Sequence, residues 1–321
     1  MVSVDIIVPV FNERESIGGY LDAMEKIQKA LYDTKFRVLF IDDGSSDNTI
    51  QIIKREREQR DMRVDYIAFS RNFGKEAAIY AGLNNAAPDA NYIGLMDVDL
   101  QDPPELIPEM LKALKDGADV AVARRNSRGQ EPFIRTVFSD AFYWLLNKMS
   151  DTPILSGVRD FRIMNRKVLD AILALSERNR FSKGLFSWVG FNQVYLSFDY
   201  KARNSGKTSW SFASLVRYAI DGIVNFSHTP LVVVSALGFI SFLLSVVGAL
   251  FIIIRALVLP ETAVFGWPSM IVVLLAVSGI QLLSLGVVGR YVSSIFVEVK
   301  ARPLYVEKET SLKSENNNIE D

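Results

Sequence analysis

The sequence predicts a mostly parallel, doubly wound α/β domain followed by a two-helix membrane module. Two observations carry that expectation. Short apolar runs alternate with helix-period segments along the first half of the chain, the pattern of βαβ units around a parallel sheet. Far downstream, residues 230–254 and 268–289 contain no charged residue. Each stretch is long enough for the ~20 apolar residues that a bilayer helix needs.

The elements follow in order. Residues 4–10 form a continuous apolar strand, and 15–31 have helical spacing through Ile17, Leu21, Met24 and Ile27. A second strand at 36–41 ends in Asp42-Asp43-Gly44-Ser45, and 47–58 are helical. A strand at 64–69 and a helix at 74–86 come next, then a strand at 92–96, a helix at 105–114 and a fifth strand at 120–123. Two later segments are amphipathic. Phe138, Phe142, Leu145 and Met149 share one helical face, and Phe212, Leu215, Ala219, Ile223 and Phe226 share another. Such helices either lie in the membrane interface or pack on the sheet.

Charge orients the membrane module. Arg203, Lys207 and Arg217 precede the first span, and Arg290, Lys300 and Arg302 flank the second. The connection at 256–267 carries only Glu261, with Arg255 snorkelling at its edge. The positive-inside bias puts both termini in the cytoplasm. The chain opens on a strand and not on a cleavable signal. Three regions result: a cytoplasmic domain at 1–228, a two-helix membrane module at 229–302, and a polar tail at 303–321 expected to be disordered. Gln281 and the small residues Ser278, Gly279, Gly286 and Gly289 suit helix packing and homo-oligomerisation.

Composition excludes several chemistries. The chain of 321 residues has no cysteine, so a disulfide frame, a thiolate nucleophile and a Cys-ligated zinc are absent. A single histidine, His228, adjoins the first span and argues against a His-based triad or metal site. The net charge of -1 gives no basic field for nucleic acid. After the first strand comes Pro9-Val10-Phe11-Asn12-Glu13 in place of a glycine-rich phosphate turn, which weakens a dehydrogenase reading. No G-x-x-x-x-G-K-[ST] run is present either.

Polar residues gather where a doubly wound sheet binds its ligand, at the carboxyl ends of the strands. Asn12-Glu13, Asp42-Asp43, Arg71-Asn72 and Asp97–Asp99 all occupy such ends. The densest is Asp97-Val98-Asp99-Leu100-Gln101-Asp102, closed by Pro103-Pro104. Carboxylates this dense repel one another unless a cation joins them. Hard oxygen ligands favour Mg²⁺ or Mn²⁺, which also holds a substrate diphosphate. A solvated acidic loop is the other reading of the same residues.

The motifs Val-Pro-Val-Phe-Asn-Glu at 8–13, Asp-Asp-Gly-Ser-Ser-Asp at 42–47, Arg-Asn-Phe-Gly-Lys at 71–75 and Asp-Val-Asp-Leu-Gln-Asp-Pro-Pro-Glu at 97–105 together resemble one family. It is that of the family 2 glycosyltransferases of polyprenyl-phosphate hexosyltransferase type, which includes bacterial polyprenyl-phosphate glucosyltransferases and dolichol-phosphate mannose synthases. The resemblance runs from Val4 to about Arg302, and the two C-terminal spans point to the glucosyltransferase-like branch. It implies a GT-A fold and an inverting transfer of a hexose from a nucleotide sugar to a polyprenyl phosphate. The best match is UDP-glucose and undecaprenyl phosphate, in the service of cell-envelope glycosylation, with GDP-mannose as the alternative donor.

The resemblance also implies roles. Pro9, Asn12 and Glu13 line the nucleoside pocket, Asp42 meets the base or ribose, and Lys75 belongs to the donor side. Asp97 stands near the ribose and diphosphate, and Asp99 and Gln101, with Asp97, hold the metal. Arg124, Arg125, Arg135 and Ser139 form the acceptor-phosphate region, with Arg135 counted among the catalytic residues. Asp160 falls near the reacting sugar, the alternative being an ion pair to Arg159 or Arg162. Arg203 and Lys207 match a donor-binding loop, although Gly-Lys-Thr-Ser-Trp leaves the register of Lys207 open. A processive polysaccharide synthase would add a Gln-x-x-Arg-Trp motif and further spans, which are lacking here. A membrane-anchored binding protein and a flippase are the non-enzymatic alternatives; the intact Asp97, Asp99 and Gln101 argue against the first, and two spans are too few for the second.

The topology is testable because the chain has no cysteine. Single variants Ser46→Cys, Thr262→Cys and Ser314→Cys are labelled in intact cells with an impermeant maleimide. Only Thr262→Cys is expected to react; labelling of Ser46→Cys would reverse the orientation.

Overall fold

The computed structural model describes residues 1–125, 157–198, 227–258 and 267–312. Eight strands form one sheet: β1 (Val2–Val10), β2 (Thr34–Asp42), β3 (Arg63–Phe69), β4 (Tyr92–Leu95), β5 (Val120–Arg125), β6 (Val158–Asn165), β7 (Gln193–Phe198) and β8 (Glu307–Thr310). The helices are α1 (Ile17–Ala30), α2 (Thr49–Gln59), α3 (Lys75–Asn84), α4 (Ile107–Lys115), α5 (Arg166–Leu173), α6 (Ser182–Trp188), α7 (Thr229–Val258) and α8 (Trp267–Lys300), with a 3₁₀ turn at Pro104–Leu106. The predicted alternation therefore holds through β5, with ends moved by a few residues.

The strand order is β7-β5-β6-β4-β1-β2-β3-β8. β1 pairs in parallel with β2 and β4, and β2 with β3. β6 runs antiparallel to both β4 and β5, while β5 pairs in parallel with β7. β6 is thus the one inner strand that runs backwards, so its first residues lie at the edge where its neighbours end. Helices cover both faces. Val4, Ile6, Val8 and Val10 pack with Tyr20, Leu21, Met24 and Ile53 of α1 and α2 and with Met110 of α4. On the other face, Ile7, Leu39 and Ile41 pack with α3, α5 and Phe186 of α6. Each fully buried aliphatic side chain contributes about 1.5–3 kcal/mol.

α7 and α8 are long and apolar. Thr229–Gly248 and Met270–Lys300 each have a mean hydropathy of 2.5 and none of their most apolar stretch is buried inside the protein. Phe239 is 62% exposed and Leu282 70%. In water such a surface would be an aggregation site, whereas hydrocarbon covers it without cost. α8 also reaches the sheet domain. Its Glu298 carboxylate accepts the backbone N–H groups of Arg178 at 2.9 Å and Asn179 at 2.9 Å.

Beyond α8 the structure departs from the expected disordered tail. Glu307–Thr310 is β8, paired antiparallel with β3. Tyr305 stacks on Phe69 with centroids 4.8 Å apart, and Lys54 Nζ pairs with Glu309 Oε2 at 2.7 Å. The polar composition misleads here because an edge strand needs only backbone groups to pair, and β3 would otherwise present an open edge. The strap fastens α8 to the sheet. Tyr305→Ala is expected to destabilise the detergent-solubilised protein by about 1–3 kcal/mol, read as a lower melting temperature. An unchanged melting temperature would show that β8 contributes nothing to the fold.

Candidate active site

The loop leaving β4 alternates like a strand. Met96 and Val98 are buried and Leu100 packs against the same core, which turns Asp97, Asp99 and Gln101 outward. Leu100 has a positive φ of 53°, an uncommon conformation for a non-glycine residue and a local cost of about 1–2 kcal/mol. Its apolar side chain stays in the core, and the turn bends the flanking polar residues around it. Asp99 Oδ1 accepts the N–H of Gln101 at 3.2 Å. Asp102 closes the turn and is 2% exposed. One of its oxygens accepts Arg159 Nε at 2.8 Å and the other has no hydrogen-bond partner among the described residues. Burial, against the pull of Arg159, pushes its carboxyl up to about 6.

β6 supplies the opposite wall. Its register pairs Leu95 with Arg162 and Tyr92 with Asn165. Continued by two residues, that antiparallel register sets Asp160 level with Asp97. Between them stands Lys75, the first residue of α3. Its Nζ lies 2.8 Å from Asp97 Oδ1 and 2.7 Å from Asp160 Oδ2. Lys183 Nζ faces the other oxygen of Asp160 at 4.0 Å. Burial pushes the Asp160 carboxyl up, but Lys75, Lys183 and Arg162 outweigh it and hold the group far below the usual carboxylate range. Burial pulls the Lys75 ammonium down, and the two carboxylates more than reverse this and hold it well above the ordinary lysine range.

The expected alternative pairing of Asp160 is not formed. Arg159 is committed to Asp102, and its outer nitrogen reaches Gln101 Oε1 at 3.5 Å. Arg162 is 3% exposed, donates to the backbone carbonyls of Asp160 at 3.1 Å and Arg159 at 3.0 Å, and lies 3.9 Å over the Phe186 ring. The pairing of Asp102 with Arg159, and Lys183 altogether, were not expected from sequence. The signal for Asp102 was there, as the next carboxylate in an already suspect loop.

The first three strands build the neighbouring recess. Pro9 lies in β1, one residue before its end. Asn12 has a φ of 56°, and its Oδ1 accepts the N–H of Ser46 at 2.9 Å. Glu13 donates its N–H to Thr49 Oγ1 at 2.9 Å, and its carboxylate accepts Ser16 Oγ at 2.7 Å. Asp42 Oδ1 accepts the N–H of Ser45 at 3.2 Å and the Ser45 hydroxyl. Asp43 is a staple: its carboxylate accepts the N–H groups of Phe73 at 2.6 Å and Gly74 at 2.9 Å. That contact fixes the turn that delivers Lys75.

On the far side, Arg124 is paired in register with Val158, and the N–H of Arg125 donates to Gly157 O at 3.0 Å. Both arginines therefore neighbour the start of β6. Arg135, Ser139, Arg203 and Lys207 lie outside the described residues, as do the two amphipathic segments.

Among the described residues, no three His, Cys, Asp or Glu side chains converge to hold an ion by themselves. The donor set nevertheless fits a hard divalent cation. Asp97, Asp99 and Gln101 offer only oxygen, and the unpartnered oxygen of Asp102 lies in a field made more negative by Asp97 and Asp99. Mg²⁺ and Mn²⁺ sites commonly use one or two carboxylates and take the rest from phosphate and water.

The profile described as "Glycosyl transferase family 2" matches residues 5–173. An uncharacterized glycosyltransferase of Synechocystis, sll0501, is 39% identical over 306 residues, covering 95% of this chain and 94% of that protein. The bactoprenol glucosyl transferase of Shigella phage SfII is 37% identical over 309 residues, covering 96% and 98%. Among solved structures, the mannosyltransferase PcManGT of Pyrobaculum calidifontis in complex with GDP-Man and Mn²⁺ covers 92% of this chain and 86% of that one, at 13% identity and a TM-score of 0.45.

The recess depends on one backbone approach. Gly44 has a φ of +69°, and a Cβ there would stand 2.7 Å from the amide nitrogen of Asn72 and within contact of the Arg71 carbonyl carbon. Gly44→Ala is expected to cost at least about 2 kcal/mol, seen as a lower melting temperature. A variant as stable as the parent would show that the 71–74 turn is not held against β2.

Proposed function

The chain belongs to glycosyl transferase family 2, and on that footing we propose that it transfers glucose from UDP-glucose to undecaprenyl phosphate in an inverting displacement. Its sheet is the GT-A fold of that family. The observation that carries the reading is the Lys75 bridge: one ammonium joins Asp97, on the metal-binding turn, to Asp160, on the opposite wall. The substrates are inferred from full-length relatives named for glucosyl transfer to bactoprenol and from two helices able to cross a membrane.

An oxygen of the lipid phosphate bonds to the anomeric carbon as the bond to the donor diphosphate breaks, and the electron pair leaves with UDP. The acceptor needs no base, since the second pKa of a phosphate monoester is ~6. Asp160 agrees with this: held far below the usual range, it stays an anion and is a poor proton acceptor. It accepts hydrogen bonds from the sugar and offsets positive charge at the anomeric carbon. Pro9, Asn12, Glu13 and Asp42 hold the nucleoside. Arg124 and Arg125, with Arg135 and Ser139, hold the acceptor phosphate, for which planar guanidinium forks are suited. Arg203 and Lys207 serve the donor. Asp99 and Gln101, with Asp97, would hold Mg²⁺ or Mn²⁺, which when bound supplies charge compensation for the departing diphosphate. The enzyme sits in the cytoplasmic membrane with its catalytic domain and both termini inside, and its lipid product feeds cell-envelope glycosylation.

The test is a screen of UDP-glucose, GDP-mannose and UDP-N-acetylglucosamine with undecaprenyl phosphate, reading the lipid product by mass spectrometry. A hexosyl lipid from UDP-glucose is expected, reduced by at least about 100-fold in Asp99→Ala and in excess chelator. Product from GDP-mannose alone would change the donor. No lipid product from any donor would overturn the reading, and full activity in chelator would remove the metal from it.

A further inference from the structure

Lys183 is the cation near the site that neither the sequence motifs nor the reaction as described accounts for. It follows Ser182 at the start of α6, a short helix whose Ser182, Gly184, Leu185 and Phe186 are buried. Two contacts fix this segment. The half-buried Glu76 carboxylate accepts both the N–H of Ser182, at 2.9 Å, and its hydroxyl. The Phe186 ring carries the Arg162 guanidinium at 3.9 Å. Lys183 therefore has little freedom in where its backbone sits, and its side chain is 28% exposed.

The two lysines at Asp160 are not equivalent. Lys75 makes hydrogen bonds to Asp160 Oδ2 at 2.7 Å and to Asp97 Oδ2 at 3.0 Å. It is spent on the protein's own carboxylates. Lys183 stands 4.0 Å from Asp160 Oδ1, beyond hydrogen-bond reach, and has no other partner among the described residues. Its ammonium is held beside Asp160 by charge, and its three N–H donors have no acceptor among the described residues. The position also has a side. An inverting displacement puts the attacking oxygen opposite the leaving group. Lys75 and Asp97 stand at Oδ2 of Asp160 and Lys183 faces its Oδ1; with the diphosphate at Asp97, as the reaction proposed above has it, Lys183 falls to the acceptor.

We propose that Lys183 is a ligand of the acceptor phosphate, donating to its non-attacking oxygens and drawing the lipid headgroup to the sugar across from the departing diphosphate. This rests on the transferase reading above and adds a residue to it. Arg124 and Arg125 approach from β5, at the neighbouring edge of β6. With Lys183 entering from α6, the phosphate is gripped from two elements and its free rotation is reduced. Asp160 attracts Lys183 weakly enough to release it to a dianion, because a doubly charged phosphate in hydrogen-bond contact outcompetes a single carboxylate at 4.0 Å.

The experiment measures binding, so that it does not depend on turnover. Full-length protein in detergent is titrated with a fluorescent short-chain isoprenyl phosphate and, separately, with UDP-glucose, for the wild type, Lys183→Gln and Lys183→Arg. Lys183→Gln is expected to weaken isoprenyl-phosphate binding by more than about tenfold while leaving UDP-glucose binding unchanged, and Lys183→Arg to restore most of the affinity. Intact nucleotide-sugar binding certifies that each variant is folded. Equal isoprenyl-phosphate affinity in wild type and Lys183→Gln would overturn the assignment, as would a loss confined to UDP-glucose, which would move Lys183 to the donor. If the wild type binds isoprenyl phosphate and Lys183→Gln does not, yet no sugar is transferred, the phosphate site stands and the transferase reading fails.

Discussion

Lys75 Nζ stands between two carboxylates that would otherwise push the site apart. Asp97 and Asp160 both lie within hydrogen-bond distance of that one nitrogen. Left facing each other without it, the two like charges would repel. With the ammonium in place they are held level across β4 and β6. The contact does three things at once. It joins the parallel half of the sheet to its backward-running strand, keeps Asp160 ionised, and compensates the charge of Asp97 beside Asp99 and Gln101. Much of the remaining architecture serves to deliver this lysine: Asp43 clamps the turn before α3, and Gly44 allows that turn to close on β2.

Sheet topology explains why the residues meet. Parallel strands place their exits on one edge, which accounts for Asn12, Asp42 and Asp97. Asp160 reaches the same edge only because β6 enters where the others leave. Charges are then matched locally. Arg159 compensates the buried Asp102, and Arg162 secures the backbone at the start of β6 through its carbonyls and the Phe186 ring. A buried pair of the first kind is fragile, since removing either partner strands a charge. The strap after α8 completes the arrangement by linking that long apolar helix to the β3 edge of the sheet through Tyr305 and β8.

The sequence made the first five strands and the ligand-bearing edge readable because parallel strands buried on both faces are written as uninterrupted apolar runs ending in polar turns. β6 escaped for the opposite reason. Val158-Arg159-Asp160-Phe161-Arg162 alternates charge into the sheet, and Arg162 is buried only because Phe186 and two carbonyls receive it, contacts set by tertiary structure. β8 escaped because its pairing is made by the backbone and its side chains are polar. Asp97, Asp99 and Asp160 were singled out through their motifs, and the structure sets Asp160 level with Asp97. Lys75 was expected on the donor side, and its bridge between Asp97 and Asp160 was not expected, since nothing in the local sequence says that positions 75, 97 and 160 converge. Lys183 left no signal at all.

Lys75 and Asp160 act as one unit. A double-mutant cycle measures this directly, using kcat/KM for sugar transfer in wild type, Lys75→Ala, Asp160→Asn and the double variant. If the bridge is the organising contact, the double variant loses no more than the worse single one, and the coupling exceeds about 1.5 kcal/mol. Losses that simply multiply would show two residues working independently, and the bridge would then be a neighbourly contact without a role in the reaction.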